Sequence, residues 1–140
     1  MKIWLRIAAI LQALGTVGHT MASQKPVSRG PGEEAAFSAM RSFHFDIMGA
    51  TRSHWDFYKG YELSISVAFG VLAVLIWQLS SMSMADNGQA RPLIVTILVC
   101  EILFGIIGWI YFFAAPGTVS ILIALCLAIA LAAGKQTKPA

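Results

Sequence analysis

Charged side chains are scarce in this sequence: Asp, Glu, Lys and Arg make up 12% of its 140 residues, about half the roughly 25% of an ordinary soluble domain. With 57% of the residues hydrophobic, a water-soluble fold of this length has nowhere to hide its apolar surface. Cysteine is nearly absent. Cys100 and Cys126 both fall in apolar stretches and form no CxxC pair, so thioredoxin-like or quinone-linked disulfide chemistry has no support. They read as small buried hydrophobes, and their similar depth in two apolar segments leaves a reducible pair open. GxSxG, GxxxxGK[ST], GxGxxG and HExxH are missing as well, which removes the usual fingerprints of hydrolases, phosphate loops, dinucleotide folds and zinc proteases. The net charge is +3, but the ten Lys and Arg are scattered at segment ends. Nucleic acid is therefore not an expected partner, and neither a cofactor nor a metal is expected.

What is present is apolar length. From Ile102 to Gly134 no side chain is charged, and only Pro116-Gly117 interrupts the run. A bilayer core about 30 Å thick takes roughly 20 residues at 1.5 Å each, so this stretch is two crossings joined by a break. Two further apolar segments make four expected spans, near residues 3–22, 62–81, 92–113 and 117–134. The expected fold class is all-α: an integral membrane four-helix up-down bundle, a single transmembrane domain over residues 1–140. Pro92 suits the first turn of the third span. A polar turn with Asp86-Asn87-Gly88 precedes it, and Lys135 to Pro139 form a basic tail.

The first segment has the basic start of a signal peptide, but Gln12 interrupts its apolar middle and Thr20 is a weak partner for cleavage after Ala22, so a retained helix is expected. The loop SQKPVSRGPG follows. Then Glu33 and Glu34 sit at a helix start, and Ala36, Met40, Phe43 and Ile47 recur at helical spacing. This predicts an interfacial amphipathic helix over residues 33–48, too polar to span.

Aromatic residues place the water boundaries. Trp55, Tyr58 and Tyr61 before the second span share a level with Trp109 and Tyr111, while Trp4 and Trp77 mark the opposite belt. Basic residues split five against five: Lys2, Arg6, Arg91, Lys135 and Lys138 against Lys25, Arg29, Arg41, Arg52 and Lys59. Both termini are assigned to the cytoplasm of a bacterial inner membrane, because Lys2 and Arg6 flank the first helix closely.

Polar groups inside the apolar segments are where chemistry would lie. Glu101 stands nine residues beyond Pro92, about 13 Å deep by helical rise. Burying a carboxylate there costs about 3 kcal/mol, so it should face the bundle, carry a proton or hold a partner. Gln12 at similar depth and Arg6 nearer the boundary are the partners within reach. The structural expectation is a hydrogen bond to Gln12 joining two helices; the functional one is a proton relay or ligand contact. At the other boundary His54, Tyr58 and Glu62 follow at intervals of four and share a helix face if the second span starts early. Asp56 and Lys59 lie beside them, and His19 and His44 are near enough in the threading to meet them around an outer mouth. Asp56 either caps the helix or pairs with Arg52 or Lys59.

The segment Trp55-Asp56-Phe57-Tyr58-Lys59-Gly60-Tyr61, following a span that begins Ile3-Trp4-Leu5-Arg6, resembles a family of small bacterial four-helix membrane proteins of uncharacterised function with a W-D-F-Y-x-G-[FY] motif before the second span. A looser likeness to DoxX-like proteins rests on span number. The resemblance implies location and fold and assigns no reaction. The leading functional reading is a non-enzymatic accessory or small-ligand-binding membrane protein, partnered by lipid and by another membrane protein or a second copy. A small proton-coupled carrier using Glu101 is the alternative, and a membrane enzyme acting on lipid or quinone the second. If lipid is the solvent, the protein stays in the pellet through a carbonate wash, and release without detergent refutes that premise.

Overall fold

The computed structural model describes residues 1–24, 28–85 and 87–135. It is a helical protein with one small hairpin: α1 (Lys2–Gln24), α2 (Pro31–Ser42), β1 (His44–Ile47), β2 (Ala50–Ser53), α3 (His54–Ala85), α4 (Asn87–Tyr111) and α5 (Ala114–Lys135). Three helical stretches, His54–Met82, Gln89–Tyr111 and Ala114–Gly134, are long and apolar enough to cross a membrane. The first expected span is helical as anticipated, but Arg6, Gln12, Thr16, His19 and Thr20 make α1 more polar than those three. By compactness the chain forms two units, Met1–Thr16 with Phe69–Ala140, and Val17–Ala68.

In the first unit, four helical segments share one hydrophobic cluster. Leu5, Ala8 and Ala9 of α1, Ile76 and Leu79 of α3, Ala90, Ile94 and Ile97 of α4, and Ile123, Cys126, Leu127 and Ala130 of α5 are all buried in it. The buried residues of α4 continue through Glu101, Gly105 and Gly108 at spacings of three and four, the stripe of a helix with one inward face. Outward residues such as Leu103, Ile106 and Ile110 are equally apolar and more than half exposed. Between apolar helices in lipid the hydrophobic effect supplies little attraction, so close packing of small residues carries the association.

The turn between α4 and α5 shows that packing at its tightest. A Cβ placed on Gly108 would lie 2.8 Å from the Gly117 nitrogen and 2.9 Å from its Cα, and a Cβ on Gly117 would strike the indole of Trp109. The two backbones therefore touch directly. Helix α4 ends at Tyr111, and α5 starts at Ala114, ahead of the expected start at residue 117. Pro116 is thus in its first turn, where a missing N–H costs nothing.

Two further boundaries differ from expectation. Helix α4 begins at Asn87, so Pro92 lies inside it and not in its opening turn, and the carbonyl of residue 88 loses its helical donor. The expected helix over 33–48 stops at Ser42. The chain after it is a hairpin, pairing His44 with Ser53 through Ile47 with Ala50. Its two-residue loop, Met48 and Gly49, has φ values of 50° and 83°, the positive pair that matches strand twist. Helical spacing from Ala36 to Ile47 was fortuitous: α2 half-buries Phe37 and Met40, while Ala36, Phe43 and Ile47 are exposed. The polar turn at Asp86 and the tail beyond Lys135 fall outside the described residues.

Gly108→Ala should lower the thermal stability of the detergent-solubilised protein by about 1–3 kcal/mol, the usual cost of forcing volume into a filled site. Gly18→Ala, where no atom lies within 4 Å of the added carbon, should be neutral or stabilising. Equal effects at both positions would contradict the direct backbone contact.

Candidate functional site

The Val17–Ala68 unit gathers most of the polar and aromatic side chains. Helix α3 starts at His54 because Ser53 and Asp56 form a reciprocal cap. The Ser53 backbone N–H and hydroxyl donate to Asp56 Oδ2 at 2.8 and 2.9 Å, and the Asp56 N–H donates to Ser53 Oγ at 3.2 Å. Two orphan donors of the first turn are thereby satisfied. Asp56 precedes the apolar stretch that begins at Leu63, and both bonds from Ser53 end on one of its two carboxylate oxygens. The early start also puts His54, Tyr58 and Glu62 on consecutive turns of one helix.

These residues nevertheless do different things. Tyr58 hydrogen-bonds Glu62 one turn further along α3. Glu62 Oε2 also takes Lys59 Nζ at 3.1 Å, and Lys59 donates in addition to the Ser23 carbonyl at the end of α1. His19 Nδ1 meets Ser66 Oγ at 3.0 Å, and that hydroxyl donates to the Glu62 carbonyl at 3.0 Å. The tyrosine, lysine and glutamate thus lock α3 to the end of α1. His54 stacks on Phe43 with ring centres 5.7 Å apart and leans on Phe45, and His44 Nδ1 faces the Ser42 carbonyl at 3.0 Å. The anticipated meeting of His19, His44, His54, Asp56 and Glu62 does not occur: among the described residues no three His, Cys, Asp or Glu side chains come together in a metal-sized group. Rings fill the gaps instead. Arg41 of α2 lies 4.4 Å above the Trp55 ring and 5.9 Å from Phe37, with Glu34 at 3.6 Å, which anchors α2 over the start of α3.

On another face of α3, Arg52, Asp56, Phe57, Gly60, Tyr61 and Ser64 line a surface depression of about 320 Å³. A guanidinium, a carboxylate and two rings surround a floor at Gly60, where nothing lies within 4 Å of a built Cβ. Of its lining, only Asp56 was singled out from sequence. Arg52 was expected only as a partner for Asp56 and Tyr61 as a boundary ring, because residue order does not show that β2 and α3 bring them together around Gly60.

Within the first unit, Glu101 is 1% exposed. Its hydrogen-bond partner is the hydroxyl of Ser120 on α5, and among the described residues Oε1 has no hydrogen-bond partner. The expected bond to Gln12 is not made; Gln12 is buried, and its backbone carbonyl accepts from Thr16 Oγ1 at 2.8 Å. Arg6 turns away as well, its guanidinium 4.9 Å from the Trp77 ring with Nε unpartnered. Cys100 and Cys126 are free thiols. An outward groove of about 470 Å³ between α4 and α5, lined by residues such as Leu98, Gly105, Trp109 and Ala124, is apolar throughout its walls except for the indole nitrogen.

No protein-family model, curated protein or solved structure matches this chain.

Ser53→Ala should cost about 1 kcal/mol of stability, as loss of a helix cap does. Amide protection in the first turn of α3, compared at one pH, should fall about fivefold in Ser53→Ala, and unchanged protection would contradict the reciprocal cap.

Proposed function

We propose that this chain is a non-enzymatic integral membrane protein, an accessory or small-ligand-binding four-helix bundle in a bacterial inner membrane with both termini cytoplasmic, and that its ligand sits in the depression at the start of α3. The observation that carries the reading is the depression itself: opposite charges and aromatic rings border an empty floor where a spanning helix leaves the lipid. Tyr58 and Glu62 serve this site indirectly, since their bonds with Lys59 keep α3 seated. Helix α1 counts as the fourth span because Leu5, Ala8 and Ala9 lie in the same cluster as the three more apolar helices. Kinship with the small four-helix proteins carrying W-D-F-Y-x-G-[FY] belongs to the same proposal and rests on residues 55–61.

Native mass spectrometry of the protein extracted gently from its own membrane tests the site. A non-covalent adduct is expected on the parent and not on Gly60→Leu, whose added side chain starts from a Cβ position with nothing within 4 Å and occupies the floor. Spectra without an adduct that depends on Gly60 would overturn the ligand-binding reading.

The second reading, a proton-coupled carrier, is supported by the unpartnered Oε1 of Glu101. The two separate by solvent access. A carrier exposes Glu101 to a water-soluble carbodiimide during turnover, whereas an accessory protein admits only a lipid-soluble one. Modification of Glu101 by the water-soluble reagent would favour the carrier.

A further inference from the structure

We propose that the depression bordered by Arg52 and Asp56 is a headgroup site for a zwitterionic phospholipid bearing a primary ammonium, a phosphatidylethanolamine. The inference rests on the small-ligand reading above and names its ligand class. Both charges of such a headgroup have a counterpart. Arg52 donates Nη1 to the Thr51 carbonyl at 2.8 Å, which leaves the rest of its fork for a phosphate, the anion whose geometry guanidinium matches best. Asp56 commits Oδ2 to both Ser53 bonds, so Oδ1 is left to accept from an ammonium. Phosphate and ammonium are joined by a short ethylene spacer in this headgroup, and Arg52 and Asp56 border the same small depression.

The position suits a lipid better than a soluble metabolite. Tyr61, 67% exposed, flanks the floor at the level where rings with a polar edge favour the membrane boundary, and Phe57, 36% exposed, adds apolar surface beside it. Below them Gly60, Ser64 and Ala68 follow at intervals of four, between the bulkier exposed Tyr61, Ile65 and Val67. The lining of the depression runs from Arg52 to Ser64, from the charged start of α3 toward its apolar stretch, the direction in which acyl chains must run.

The experiment uses the full chain in nanodiscs of equal phosphatidylethanolamine and phosphatidylglycerol, released and read by native mass spectrometry. The parent should retain phosphatidylethanolamine about tenfold over phosphatidylglycerol, the scale of one charge-assisted hydrogen bond. Asp56→Asn should remove that preference, Arg52→Gln should lower retention of both lipids, and Gly60→Leu, which leaves cap and charges intact, should abolish retention. Equal retention of the two lipids by the parent would overturn the proposal. So would equally tight binding of glycerophosphoethanolamine, which lacks tails, or a dimer in place of the lipid adduct that Gly60→Leu dissociates. A non-lipid adduct lost in Gly60→Leu would overturn the lipid assignment while sparing the small-ligand reading; no adduct sensitive to Gly60→Leu would overturn both.

Discussion

Lipid as the solvent of the long helices is the constraint on which the rest depends. Leu103, Ile106 and Ile110 of α4 point outward while Glu101 of the same helix is buried, the reverse of what water selects. In such surroundings every backbone group must be satisfied within its own helix, and an apolar side chain gains little by leaving lipid for a neighbouring helix. What remains to hold helices together is contact. Alanines 8, 9, 90 and 130 in the cluster and the touching backbones of Gly108 and Gly117 supply it, since a small residue lets two helices approach until their dispersion contacts are complete.

Polar groups in that environment cannot be incidental, because each must be matched or carried at a cost. Glu101 is matched once, by Ser120, and left with one unpaired oxygen. Arg6 is matched by a ring and not by a carboxylate, which spares the bundle a buried ion pair whose desolvation would offset its attraction. Among the described residues the first unit is thus a close-packed set of helices in which the buried carboxyl of Glu101 keeps one oxygen without a hydrogen bond.

The Val17–Ala68 unit follows other rules, because its backbone includes a loop and a hairpin that only water or an interface tolerates. Order there comes from reciprocal capping, from Arg41 over Trp55, and from the chain of Tyr58, Glu62 and Lys59. These contacts fix the start of α3 without consuming Arg52 or the outer oxygen of Asp56.

Much of this was legible from residue order and some was not. The Ser53-x-x-Asp56 pair spells a capping box, so an early start of α3 was within reach, and the charge-free run from Ile102 to Gly134 declared its two helices. The hairpin was hidden because Met48 occupies a turn position where Asn or Asp is the usual sign, and because the spacing from Ala36 to Ile47 imitates a helix. Pro92 misled in the opposite direction, since a proline suggests a helix start more often than a helix interior. No pattern within α4 points to Ser120, which lies nineteen residues downstream of Glu101 on another helix.

Composition and hydropathy by themselves determined that the chain is mostly helical and holds helices long and apolar enough to cross a membrane, because a bilayer's thickness and its lack of hydrogen-bonding partners act on each segment separately; four such helices were expected and three meet that measure, with starts that differ by several residues. Only the tertiary structure decided which polar groups meet. The partner of Glu101, the division of Tyr58, Lys59 and Glu62 from Arg52 and Asp56, and the open floor at Gly60 all depend on how one element lies against the next. That is set by the shape of side chains in contact, which the order of residues along the chain does not display.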